Sequence, residues 1–146
     1  MNSKANDIIE ELVNRETLAW DTQNVKLLMS LFHPDMVWPW PSDPNAHDPV
    51  LWVLEWGRFD YERWSQGWQK LFDSHKLIHN KREIIKITVS SQQDSGMAVV
   101  DIDTLWEDAQ GHQQHWCGRV CKVYTRLHSG EWKMIMHTGV LNYIKP

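Results

Sequence analysis

The sequence predicts an α+β fold in which N-terminal helices pack on one face of a curved antiparallel sheet. Three observations carry this. Apolar residues recur at helical spacing through the first half of the chain. After Lys81 they alternate with polar residues, as in strands. Short turns bearing Asp, Ser and Gly join the later segments into a meander. Segregation of this kind defines a two-layer α+β architecture. The 146 residues suffice for one domain, spanning 1–146, and not for two ordinary ones.

Each element has local reasons. Asp7 to Thr22 carry Ile8, Ile9, Leu12, Val13, Ala19 and Trp20 on one helical face. Asn24 caps a second helix with Val25, Leu28, Leu31 and Phe32 inward, and His33-Pro34 ends it. Met36 to Trp40 is a short extended piece broken by Pro39 and Pro41, and Ser42 to Pro49 a polar loop. Asp48 as cap, Pro49 in the first turn and Gly57 past the end bracket a short helix with Trp52 and Trp56 on one face. Asp60 opens a helix to about His75, with Tyr61, Trp64, Trp68, Leu71 and Phe72 on one side. Ile85, Ile87 and Val89 then alternate in a strand, and Asp94-Ser95-Gly96 marks a hairpin. Met97 to Trp106 is a strand, Asp108 to Gly111 a turn, and His112 to Leu127 a long strand. His128-Ser129-Gly130 turns into the last strand, Glu131 to Tyr143.

Composition narrows the function classes. Apolar residues make up 42% and charged residues 23%, which excludes disorder as the main state. A net charge of −4 argues against a nucleic-acid groove, which needs a basic stripe. The longest apolar run, Val50 to Leu54, is far shorter than a membrane span. The first residues show no basic start followed by an apolar run, so no signal peptide is expected. Cys117 and Cys121 lie roughly 13 Å apart on one extended strand, too far for a disulfide. Reduced thiols without an export signal lead to the expectation of a cytoplasmic protein. The anomaly is ten Trp against three Phe and three Tyr, more indole than a core this small needs, so some of it is expected to line a cavity.

The order of elements resembles the nuclear transport factor 2-like superfamily, in its SnoaL-like and ketosteroid-isomerase-like branch. The carrying segments are Asn24 to Phe32 followed by His33-Pro34-Asp35-Met36-Val37-Trp38, and Gly118-Arg119 followed by Ser129-Gly130-Glu131-Trp132-Lys133 and His137. The resemblance implies a cone-shaped barrel, a cystatin-like roll whose bent sheet wraps the helices around a pocket. It also implies homodimers joined through the outer sheet face. Its members range over isomerases, dehydratases, cyclases, hydrolases and non-enzymatic binders, so fold alone does not give chemistry. Ketosteroid isomerases carry Phe-x-x-Asp-x-x-x-x-Asp-Pro after the second helix, the last Asp moving the proton. Phe32, Asp35 and Pro41 match that spacing, but Trp40 stands where the base belongs. An indole takes no proton at neutral pH, and steroid-type isomerisation is rejected on this residue.

Candidate site residues follow. On a helical wheel Glu16 falls between Leu12 and Trp20, inside the apolar stripe of the first helix. A carboxylate buried there needs a partner or a proton; Arg119 and His137 are the candidate partners. Many SnoaL-like proteins resemble this chain in turning an Arg on the long strand and a His on the last strand towards the pocket. Arg119 can hold a carboxylate in two hydrogen bonds, or form a salt bridge to Asp101 or Asp103. His137 can titrate near neutrality, or be a satisfied sheet histidine. Asp101 and Asp103 share one strand face, and which face of the strand 112–127 is inside stays open. Glu16, Asp103 and His137 are the candidate proton carriers. Trp20, Trp38, Trp40, Trp52, Trp56, Arg119 and Tyr124 are the candidate ligand contacts. His112, His115 and His128 lack converging zinc-ligand spacing. No Cys-x-x-Cys pair, phosphate loop or nucleophile elbow occurs, so neither metal nor organic cofactor is expected.

Two readings result. In one, an aromatic-lined pocket takes a small apolar or aromatic molecule, and the protein is a cofactor-independent isomerase, dehydratase or cyclase using acid–base chemistry. In the other, the chain is a non-enzymatic dimeric module that binds a ligand or only holds its fold. Whether it is an enzyme stays open at this level.

Overall fold

The computed structural model describes residues 3–41, 48, 50 and 52–141. Among them, the elements run α1 (Lys4–Asp21), α2 (Val25–Ser30), β1 (Phe32–Val37), β2 (Trp40–Pro41), β3 (Trp52–Val53), α3 (Tyr61–Ser74), β4 (His75–Val89), β5 (Ser95–Asp108), β6 (Gln113–Arg126) and β7 (Trp132–Leu141). Each helix starts on a polar cap: Ser3, Asn24 and Asp60 accept from the backbone N–H of Asn6, Leu27 and Arg63. Such caps stabilise by about 1 kcal/mol each. The apolar stripe of α1 buries Ile9, Leu12, Val13 and Trp20, and α1 lies against β4 and β5.

The curved sheet runs β1-β7-β6-β5-β4. The last four strands form the expected antiparallel meander. The sheet as a whole is mixed and not closed, because β1 joins β7 in parallel. That differs from a wholly antiparallel barrel, and the cause is local. The α2 helix stops at Ser30, and Leu31 O accepts from Met134 N at 2.8 Å, which draws the following segment onto the sheet. His33-Pro34 therefore lies within a strand rather than ending a helix. Pro34 is tolerated because β1 is an edge strand, where a missing N–H need break no ladder.

Trp52 is also not helical. Trp52–Val53 pairs with Trp40–Pro41 as a two-stranded ribbon. Gly57, at φ 64°, donates its N–H to Leu54 O at 3.0 Å and closes a turn after that ribbon. Of the expected polar loop all but Asp48 lies outside the described residues, as does the Pro49 start of the short helix. Likewise the last strand is described to Leu141.

β4 begins at His75, directly from α3 and earlier than the sequence pattern suggests. Its pattern is scrambled by two register shifts against β5, between Leu77 and His79 and between Ile84 and Lys86. Each inserts one residue and exchanges the two faces of the strand. Thus Asn80, Arg82 and Ile84 share a face with Ile87 and Val89, while Ile85 is exposed. No helix among the described residues is long and apolar enough to cross a membrane.

The hairpin end of β5 is packed too closely under α1 to admit a side chain. A Cβ on Gly96 would lie 2.6 Å from Ile9 Cδ1 and 2.7 Å from Thr88 O. Gly96→Ala is expected to destabilise by about 1–3 kcal/mol through this overpacking. Urea unfolding reads it as a lower midpoint at unchanged slope; an unchanged midpoint would show that the α1–hairpin contact is loose.

Candidate functional site

Glu16 is 1% exposed, placed there by the stripe it shares with Leu12 and Trp20. Its partners are not the expected ones. Lys122 Nζ donates to both carboxylate oxygens, at 2.9 and 2.8 Å. Trp20 Nε1 donates to Oε2 at 2.8 Å, one helical turn along α1. Arg82 Nη1 lies 3.7 Å from Oε2. Lys122 comes from β6, on the inner face shared by Val120 and Tyr124, and is 1% exposed. Arg82 comes from β4 and is braced by its neighbours: Nε donates to Asn80 Oδ1 at 2.7 Å and Nη2 to Thr104 Oγ1 at 3.2 Å.

Burial opposes the charge on each member of this group. For Glu16 it would raise the pKa, but Lys122 and Arg82 outweigh it and hold the carboxyl below its ordinary range. Burial, reinforced by Arg82, pushes Lys122 down to about 8, against the pull of Glu16. Arg82 is also lowered, by burial. Two cations face the one buried carboxylate, and the Asp21 carboxylate at the end of α1 also acts on Arg82.

This group underlies a cavity of about 270 Å³ between the helices and the sheet. Trp20, Trp38, Trp40, Trp56 and Trp68 form much of its wall, with Glu16, Arg82 and His137 as charged or titratable members and the exposed Glu55 among the lining. Trp56 lies across Gly67 of α3, where a Cβ would come within 2.5 Å of its ring. Trp20 meets Trp68 edge-on at 4.9 Å, and Trp56 meets Trp68 edge-on at 4.7 Å. Trp38 stacks on His137 at 3.9 Å. His137, opposite Lys122 in register, is buried and held well below its usual range by burial and by the charges of Lys122 and Arg82. It is therefore neutral at pH 7. His137 Nδ1 and Trp68 Nε1 are buried without a hydrogen-bond partner among the described residues. Buried polar groups are ordinarily satisfied, so these two are exceptions within the cavity wall.

Of the residues singled out from the sequence, Glu16, His137, Trp20, Trp38, Trp40 and Trp56 line the cavity. Asp103, Arg119, Trp52 and Tyr124 do not. Arg119 lies on the outer sheet face and holds Asp101 in two bonds, Nε–Oδ1 at 2.8 Å and Nη2–Oδ2 at 3.1 Å. Asp103, on that same face, accepts from His79 and His115. Trp52 is taken up in the ribbon with β2. Tyr124 is buried in the core, its hydroxyl kept protonated by burial and by the nearby Glu16 charge. Lys122 and Arg82 were the residues missed. Lys122 had a signal, a cation between Val120 and Tyr124 on one strand face. Arg82 had none, because the register shift at Leu77/His79 sets its face.

The sequence matches the SnoaL-like domain family over residues 2–136, and the chain belongs to that family. The fold agrees with solved structures. A ketosteroid isomerase-like protein from Erwinia carotovora atroseptica superposes with a TM-score of 0.74 at 11% identity, over 98% of this chain and 100% of that one. A nuclear transport factor 2-like superfamily protein from Salmonella enterica serovar Typhimurium gives 0.70 at 15% identity, over 97% and 94%. A nuclear transport factor 2-like protein from Cytophaga hutchinsonii gives 0.69 at 20% identity, over 97% and 99%. These likenesses establish the nuclear transport factor 2-like α+β fold. No curated protein matches the sequence.

Removing one member of a buried pair leaves the other uncompensated. Glu16→Gln is expected to cost about 3–5 kcal/mol of stability, and Glu16→Gln with Lys122→Met distinctly less than the two single changes added together. A double-mutant cycle by chemical denaturation measures this. Additive losses would mean that the pair is not coupled.

Proposed function

We propose that the chain binds a small planar molecule of one or two rings that carries a carboxylate or a polarised carbonyl. The observation that carries this reading is the buried Arg82 guanidinium at the edge of an indole-walled cavity. Flat rings suit the Trp38, Trp40 and Trp56 faces by stacking and area burial. A guanidinium favours an oxygen anion, and of the two buried cations Arg82 is the one that borders the cavity. A volume of about 270 Å³ lies at the small end of ligand sites, which favours one or two rings over a steroid.

His137 supports an enzymatic extension of the same reading. Because burial and the nearby cations oppose protonation of His137, its imidazole can pass a proton on but not hold it. It takes one from a carbon next to the ligand carbonyl while Arg82 stabilises the enolate oxygen, and gives it up again at a second position. Glu16, tied by Lys122 and Trp20, serves as the anchor of the cations rather than as the base. Return of that proton to another carbon gives an isomerisation, its delivery to a β-hydroxyl that leaves as water gives a dehydration, and its delivery to the alkoxide formed when the enolate carbon attacks a second carbonyl gives a cyclisation, none of which needs a cofactor. Two copies pairing through the outer sheet face belong to this proposal as well, supported by the exposed Met97 on β5 and Ile85 on β4. The thiols of Cys117 and Cys121, unlinked by a disulfide, support a cytoplasmic setting.

Quenching of Trp fluorescence by 2-naphthoate, compared with uncharged naphthalene, tests the binding reading. The acid is expected to quench saturably, and Arg82→Gln to weaken it by about tenfold or more while leaving naphthalene within about twofold. Equal losses for both probes, or no saturable quench by the acid, would contradict it.

A further inference from the structure

The outer face of the sheet carries a second cluster, remote from the indole cavity in its chemistry and in the direction it faces. His79 on β4, Asp103 on β5 and His115 on β6 come from three successive strands. His79 Nε2 lies 2.8 Å from Asp103 Oδ1, and His115 Nε2 lies 2.6 Å from the same oxygen. The three ligand-type atoms all fall within 4.8 Å of one another. In the single chain the side chains of His79, Asp103 and His115 are 33%, 39% and 48% exposed, so an ion reaches them from solvent before any pairing through this face.

The backbone builds this convergence. Asp103 and His115 share the outer face through the regular β5–β6 register, in which Asp103 opposes Cys117 and Leu105 opposes His115. His79 joins them through the register shift after Leu77, which moves it from opposite Thr104 to opposite Leu105. Without that inserted residue the imidazole would point to the inner face.

We propose that His79, Asp103 and His115 form a binding site for a divalent transition-metal ion of the Zn²⁺ class. Two imidazole nitrogens and one carboxylate oxygen are a donor set for such ions, and hard cations such as Mg²⁺ or Ca²⁺ prefer oxygen alone. Ligand atoms around tetrahedral zinc stand roughly 3.3 Å apart, given bonds of about 2.0–2.1 Å. Small side-chain rotations open the present cluster to that spacing. The metal takes the place of the two Nε2 protons that now bond Asp103 Oδ1. Asp103, kept ionised by the hydrogen bonds from His115 and His79, already carries the charge a cation needs. Three protein ligands leave a fourth position for water or for an exogenous ligand.

Competition of the metal-free full chain against a chromophoric zinc chelator tests this. One Zn²⁺ per chain is expected, displaced little by a large excess of Mg²⁺. His79→Gln and His115→Gln are each expected to weaken binding by about tenfold or more, with Asp103→Asn doing likewise. His128→Gln, in the turn at the other end of β6, is expected to leave it unchanged. Far-UV circular dichroism checks that the surface variants stay folded, and any one folded variant suffices for the comparison. Absence of stoichiometric Zn²⁺ binding, or binding unaltered in the folded variants, would overturn the proposal.

Discussion

The Glu16–Lys122 pair is the constraint on which the interior of this protein turns. Each charge alone would be unsustainable where it lies, since burial of an unpaired ion costs several kcal/mol. Together they fix the first helix to the third strand of the meander at one rotation and one register. Trp20 is fixed with them, because its indole N–H completes the carboxylate's shell. A hydrophobic pair of similar volume would hold the layers at least as tightly. What only the ionic arrangement provides is a field. Arg82 adds a second cation, and that charge stands at the edge of a space walled by indoles.

The two faces of the sheet have been given different chemistry by very small means. Two single-residue insertions in β4 exchange its inward and outward residues, first before His79 and again before Lys86. The first sends Arg82 in and His79 out; the second returns Ile87 and Val89 to the core. One inserted residue therefore contributes both to the cation of the cavity and to the imidazole of the outer cluster. The inner surface becomes dry and aromatic. The outer one pairs its charges, with Arg119 covering the buried Asp101 and two half-exposed histidines on Asp103.

Signals that are local in sequence were legible. Ser, Asn and Asp caps, turn residues and the stripe of α1 located the helices and most of the meander, and Glu16 stood out as a carboxylate inside an apolar stripe. Lys122 carried the same kind of signal on a strand and could have been matched to it. What depended on pairing between distant segments was hidden. The Asp48-Pro49 and Gly57 pattern fits a short helix locally, yet Trp52 is claimed by β2, a segment further back in the chain. Period-two alternation showed that Asp101 and Asp103 share a face but not which face is wet. In β4 the alternation itself is broken, so neither Arg82 nor His79 could be placed until its neighbour strand was known.

The ionisation state of Glu16 tests the account most directly. With glutamate carboxyls labelled with ¹³C, the Glu16 resonance can be followed by NMR from about pH 7 down to about pH 3. An ionised carboxylate whose midpoint lies below the ordinary glutamate value of 4.5 is the predicted result. A carboxyl that is protonated at neutral pH, or that titrates above 4.5, would mean that Lys122 and Arg82 do not neutralise it. The Glu16–Lys122 ion pair that holds the first helix to the sheet would then have no basis.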